Sequence, residues 1–215
     1  MKNETLSERI FTKLKDDILS GVYVPGERLL YEKIAERLGV SMTPLKDAFH
    51  KLEQEGLVNN VPRRGCFVTR LDDEDIVEYC QIRWALESLA VDLVCAKSSV
   101  PEGDLDGLEK INDQIAKAIR RKRPRECIVH DAQFHLSLVN MSGNRRLIQM
   151  LHQFPLSNLL VFMGRGEKSI ENGEAILDDH ARIIEALKVR DRQRIKEILE
   201  KNIFVPYNQI IGERR

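Results

Sequence analysis

The pattern of the chain changes once, near Leu71, and that change limits what it can fold into. Upstream lies the only strand-like pair, "LVNNVPRRGCFVT", which reads as Leu57–Val61 and Cys66–Thr69 joined by the turn "PRRG". Downstream, from Asp72, apolar residues recur at three- and four-residue steps to the end. One short hairpin cannot organise a large sheet. The expected fold is therefore mostly α, with an N-terminal domain over 1–71 and an all-helical antiparallel bundle over 72–215. Helices are expected near 73–97, 102–122, 124–142, 144–164, 172–189 and 191–211, with "GRGEKSIENG" (Gly164–Gly173) as the one long loop.

The N-terminal block reads helix, helix, helix, hairpin. Leu6, Ile10, Leu14 and Ile18 step by four, and Gly21 stops that helix. "VPGERLL" reads as a turn into a short second helix that closes at Gly39. Ser41 fits the N-cap of a third helix and Gly56 its end. That third helix has an apolar face of Leu45, Ala48, Phe49 and Leu52. Its outer face carries Met42, Lys46 and His50, which folding alone does not require. Two helices around a short Gly-containing turn, then a basic hairpin, describe a winged helix-turn-helix. Ser41, Met42, Thr43, Lys46 and His50 would face a major groove about 12 Å wide. Arg63 and Arg64 at the hairpin tip would meet a minor groove or phosphates. The alternative is a small helical bundle whose hairpin arginines are merely solvated.

Charge neither demands nor forbids DNA. Lys plus Arg equal Asp plus Glu at 34 each, but a groove contact needs only a local patch. The four cysteines (Cys66, Cys80, Cys95, Cys127) form no C-x-x-C pair and read as reduced thiols. No signal peptide and no membrane span is expected, which makes the expected location cytoplasmic.

The helical block places polar residues on apolar seams. Arg83 and Glu87 sit on the stripe Ile76, Cys80, Leu86, Ala90, Val94. Asp131 and His135 share a face with Ile128 and Leu138; His180 lies with Ile176, Ile183, Ile184 and Leu187; Asn202 lies with Ile195, Ile198, Leu199 and Val205. A buried polar group without a partner costs on the order of 1–3 kcal/mol, so such groups should meet. Asp131-x-x-x-His135 is a one-turn clamp for a transition metal, and His180 could add a third ligand. A hydrogen-bonded Asp131–His135 pair beside an ordinary core histidine is the alternative. Arg83 could hold an effector carboxylate through its planar fork, or simply pair with Glu87 at i,i+4. His130 and His152 match no site pattern, and "RRKRPR" (Arg120–Arg125) reads as a solvated helix end.

"GVYVPGERLLYEKIAERLGVSMTPLKDAFHKLEQEGLV" with "RRGCFVTRL" resembles the winged-helix domain of the GntR family of bacterial transcription regulators. The helical block after it resembles the FCD ligand-binding domain of that family's FadR-like branch. Where the family typically reads "VSRTPVREAL", this chain reads "VSMTPLKDAF". Met42 and Lys46 thus stand at the two usual arginines, and Glu32 at an often basic third position. Methionine cannot make arginine's bidentate contact to guanine, and lysine keeps the charge without the fork. An altered operator or weakened affinity is expected. The resemblance also implies a metal set, carried here by "DAQFH" and "HARIIEAL", with Asn202 where the family has a final histidine. A zinc- or nickel-like divalent ion, held more weakly because of Asn202, is the expected cofactor.

The expectation is a homodimeric, cytoplasmic regulator on a two-fold symmetric duplex operator, controlled by a small carboxylate effector bound near a metal by Arg83 and Glu87. Effector binding would change the spacing or freedom of the two DNA-reading heads. Two rivals remain: a metal-dependent hydrolase using Asp131, His135 and His180, and a dimeric effector-binding protein whose DNA reading is altered or lost.

Overall fold

The computed structural model describes residues 5–152 and 170–214, with residues 152 and 205–214 described by their backbone alone. The chain divides into two compact units, Met1–Leu71 and Asp72–Arg215.

Thr5 begins the first unit. Its hydroxyl accepts from the Glu8 N–H while Glu8 accepts from the Thr5 N–H, so two orphan donors at the helix start are satisfied at once. Three helices follow: α1 (Leu6–Leu19), α2 (Tyr31–Leu38) and α3 (Met42–Gln54). Gly39 ends α2 at φ 64°, a left-handed cap that turns the chain into α3. Ile10, Leu14 and Ile18 of α1 are buried, as are Leu45, Ala48, Phe49 and Leu52 of α3, and the two helices pack together. Buried Asp17 ties α1 to α2 by accepting from Lys13 at 2.6 Å and Arg37 at 3.0 Å.

The sheet has three antiparallel strands in the order β1 (Arg28–Leu29), β3 (Gly65–Val68), β2 (Val58–Val61). Here the structure corrects the reading of "VPGERLL" as a turn alone. Arg28 pairs with Phe67 and Leu29 with Cys66, giving the hairpin a third strand. Two residues are too few for an alternating pattern, so this strand exists only because β3 offers an edge to pair with.

The second unit is helical throughout its described residues. Its elements are α4 (Asp73–Cys95), α5 (Glu102–Arg120), α6 (Pro124–Asn140), α7 (Arg145–His152), α8 (Gly173–Lys188) and α9 (Arg192–Arg214). Asp72 caps α4 reciprocally with Asp75, and acidic residues fill that first turn, where the helix dipole favours them. Helix α4 packs on α6 and α9, α5 on α6 and α8, and α8 on α9. Their shared core includes Val91, Val94, Leu108, Phe134, Leu138, Ile183, Leu187, Ile195 and Leu199. Beyond His152, the helix expected over 144–164 lies outside the described residues, as does most of the expected loop Gly164–Gly173. Val205, placed on an inner seam from sequence, lies outside the described side chains. Among the described residues no helix is long and apolar enough to cross a membrane.

Gly173 belongs to α8 and not to the loop, for a steric reason. A Cβ there would stand 2.5 and 2.8 Å from Cδ1 and Cγ1 of Ile119 on α5. Gly173→Ala should therefore destabilise by about 1–3 kcal/mol despite alanine's better helix propensity. Adding Ile119→Ala should recover part of the clash term, read as a non-additive double-mutant cycle in urea unfolding.

Candidate functional site

Helix α4 turns Arg83 and Glu87 into the core, where they are 2% and 0% exposed. An isolated charge there would be strongly destabilising, so both need partners. Arg83 Nε donates to Glu87 Oε1 at 2.6 Å, which is the one-turn ion pair the spacing allows. The other oxygen, Oε2, lies 2.7 Å from His135 Nδ1 on α6. With Glu87 ionised, Nδ1 carries the proton and donates it, which leaves the lone pair of His135 on Nε2. Burial alone would raise the Glu87 pKa; the charge of Arg83 and the hydrogen bonds from His135 and Arg83 outweigh it and hold the carboxyl at about 2.

His180 on α8 is fixed in a parallel way. Its Nδ1 lies 3.2 Å from Asn112 Oδ1, while Asn112 Nδ2 donates to the Leu177 carbonyl at 3.3 Å. That second bond sets which end of the amide faces the ring, so Nδ1 is the donor and Nε2 again holds the lone pair. The Phe134 ring stacks on the imidazole, centroids 3.7 Å apart and planes 1° from parallel. Full burial drives the His180 pKa down to about 3, against the opposing pull of Asp131.

Both Nε2 atoms point at one carboxylate. Asp131 Oδ1 is 3.5 Å from His180 Nε2 and 4.0 Å from His135 Nε2, and ligand atoms of the three residues all lie within 4.8 Å of one another. Neither Nε2 makes a hydrogen bond among the described residues. An ion with bonds of about 2.1 Å needs ligand atoms roughly 3–3.4 Å apart, so the three side chains would have to close inward to seat one, His135 further than His180 relative to Asp131. Asn202 on α9 is also buried; its side chain hydrogen-bonds Asp179, and its Oδ1 has no hydrogen bond among the described residues. Arg83 Nη2 is a second unspent polar atom, a buried donor without an acceptor among the described residues.

In the first unit, Ser41, Thr43, Lys46, His50, Arg63 and Arg64 are exposed and Met42 is half-buried. Ser41 occupies the N-cap of α3 as expected, yet its hydroxyl makes no capping bond. Among the described residues His50 bonds only to Gln54, at 3.2 Å. Lys46, Arg63 and Arg64 form no ion pair among the described residues, whereas Lys13, Lys15, Arg37 and Lys51 do. At the hairpin tip the Arg64 N–H donates to the Val61 carbonyl at 3.0 Å, around Pro62 and an Arg63 at φ 63°. Such a turn favours glycine at the second central residue; an L-residue there costs about 1–2 kcal/mol.

Two family profiles match along the chain. Residues 6–68 match the bacterial regulatory proteins of the gntR family, and residues 78–203 match the FCD domain. The chain belongs to the gntR family, with an FCD domain. The HTH-type transcriptional regulator YdhC of Bacillus subtilis is 33% identical over 192 residues, covering 88% of this chain and 84% of that protein. The gluconate operon transcriptional repressor of Bacillus licheniformis is 27% identical over 90% of this chain and 80% of its own. A solved structure of a regulator from Rhodococcus sp. RHA1 shares the fold, with a TM-score of 0.77, 23% identity, and coverage of 97% and 99% of the two chains. This gntR-family chain is a DNA-binding transcriptional regulator, not an enzyme, and the hydrolase reading falls.

Sequence reasoning finds Asp131, His135 and His180 but misses the residues that aim them. Asn112 lies in "EKINDQ", a polar stretch with no distinguishing signal, and Phe134 reads as ordinary core. Glu87 is expected at the effector, yet both its oxygens are engaged by Arg83 and His135.

The two depressed pKa values act in the same direction on stability. Unfolded, His180 takes up a proton near 6.5; folded, it resists until about 3. Metal-free protein should therefore lose stability as pH falls below about 6.5, with Glu87 adding to the loss from about 4.5 down to 2. Melting temperatures measured across that range should fall on acidification, and the upper part of the slope should flatten in His180→Gln.

Proposed function

We propose that the FCD domain of this regulator holds a divalent transition metal, zinc- or nickel-like, on Asp131, His135 and His180, and binds a small carboxylate effector beside it. The observation that carries the reading is the pair of buried Nε2 lone pairs, each fixed by a bond at the opposite ring nitrogen, that converge on one carboxylate. Imidazole and carboxylate are the donor types such ions take. When bound, the metal supplies positive charge and open coordination positions for an anionic oxygen. The chain supplies the rest. Glu87 and Asn112 hold the imidazole tautomers, Phe134 holds the plane of His180, and Arg83 offers its unspent Nη2 to a carboxylate. Asn202, a carbonyl donor in place of imidazole, should weaken the ion's grip and serve as an acceptor for the effector. A gluconate operon repressor among the relatives makes small hydroxy-acids the first effectors to try.

In the same reading the protein works in the cytoplasm as a homodimer on a two-fold symmetric duplex. Ser41, Met42, Thr43, Lys46 and His50 meet the major groove, and Arg63 and Arg64 meet the backbone or minor groove. The effector acts by binding one DNA-affinity state better than the other. An apolar strip on the second unit, with Ile82 and Leu89 of α4 and Met150 of α7 each about half exposed, supports a face for the second copy.

Titrating zinc or nickel into chelator-stripped protein should raise the melting temperature, and His135→Ala or His180→Ala should abolish the shift. Absence of a shift in the wild type would rule out the metal. Gel-shift titrations on duplexes from the chain's own upstream region should give binding at low salt that Lys46→Ala weakens. Met42→Arg should strengthen binding to guanine-bearing sites by about 1–3 kcal/mol.

A further inference from the structure

We propose that Arg28, on the edge strand β1, is a DNA-phosphate contact whose guanidinium is seated edge-on, Nε and Nη2 inward, against the bare backbone at Gly65. The inference rests on the DNA-reading surface assigned above and adds a residue outside the recognition helix and the wing tip. Arg28 pairs with Phe67 across the β1–β3 ladder, which brings its side chain to the base of the hairpin whose tip carries Arg63 and Arg64. Its Nε, Nη2 and Cζ lie 3.0, 3.3 and 3.6 Å from where a Cβ on Gly65 would stand. Gly65 itself sits at φ 108°, a conformation that L-residues avoid. Any side chain there would both strain the turn and push the guanidinium off the wing.

The electrostatic setting points to an anionic partner. Arg28 is exposed and makes no ion pair or side-chain hydrogen bond among the described residues. It shares this with Lys46, Arg63 and Arg64, whereas Lys13 and Arg37 are tied to Asp17, Lys15 to Glu55 and Lys51 to Glu8. A guanidinium already seated against backbone loses little rotamer freedom when an anion arrives. With the Nε/Nη2 edge turned to Gly65, the Nη1/Nη2 end is the fork that can take two oxygens of one phosphate. Such a contact fixes register and carries no sequence information.

The alternative is that Arg28 only shields the wing with its aliphatic stem. Salt dependence separates the two, because packing alone leaves the slope of affinity against salt unchanged. Binding of the full chain to a generic duplex would be titrated from about 50 to 200 mM salt, by fluorescence anisotropy. Each lost phosphate contact reduces the slope by about 0.9, so Arg28→Gln should lose about 3.5-fold less affinity than wild type across that range. It should weaken all duplex sequences alike. Arg28→Lys should keep the wild-type slope at lower affinity. Gly65→Ala, which keeps the arginine but displaces its guanidinium, should weaken binding in the same sequence-independent way. Melting curves of each variant would show that the unit is folded. An unchanged slope in folded Arg28→Gln overturns the proposal. Absence of any duplex binding by the wild type overturns it together with the DNA-reading surface.

Discussion

The helical domain is organised around the cost of burying charge. Arg83, Glu87, Asp131, His135 and His180 are all nearly sealed from solvent, and each would destabilise the bundle if left alone. Their positions on α4, α6 and α8 therefore cannot be independent. Glu87 is the hinge of the arrangement, accepting from an arginine on its own helix and from a histidine on α6. Asn112 does the same service for His180 from α5, and closes its own needs on a backbone carbonyl. Four helices are thus fixed in register by a chain of directional bonds, with apolar layers such as Phe134, Leu138, Ile183 and Leu187 packed around it. Apolar packing alone tolerates sliding; a carboxylate bridging two donors at 2.6 and 2.7 Å does not.

The N-terminal unit solves the opposite problem. Its recognition helix must be rigid yet leave one face unspent. Rigidity comes from the apolar stripe Leu45, Ala48, Phe49, Leu52, buried against α1, and from Asp17, which joins α1 to α2. The remaining face keeps a Ser41 hydroxyl outside the capping bond it could have made, and Lys46 outside any ion pair among the described residues. A sequence with balanced charge can still leave Lys46, Arg63 and Arg64 outside ion pairs among the described residues while Glu8, Asp17 and Glu55 engage other cations of the same unit.

How legible each feature is in the sequence depends on the length scale of its signal. Helices of 13 to 23 residues repeat their pattern often enough to be read, as α3 and α4 do. Strand β1, with two residues, has no period at all. The metal-type ligands are legible because Asp131 and His135 are one turn apart on one face and His180 lies on an otherwise apolar seam. Their supports are not. Asn112 is 68 residues from His180, and only the packing of α5 on α8 joins them. Glu87 looks like half of a local ion pair because its second partner, His135, is 48 residues away.

The stacking of Phe134 on His180 has a kinetic side. The imidazole is gripped at one nitrogen by Asn112 and across its face by a phenyl ring that is itself wholly buried. It can neither flip nor swing aside without parting α6 from α8. Reorientation of the His180 ring is therefore set by the pace of helix breathing rather than of side-chain rotation.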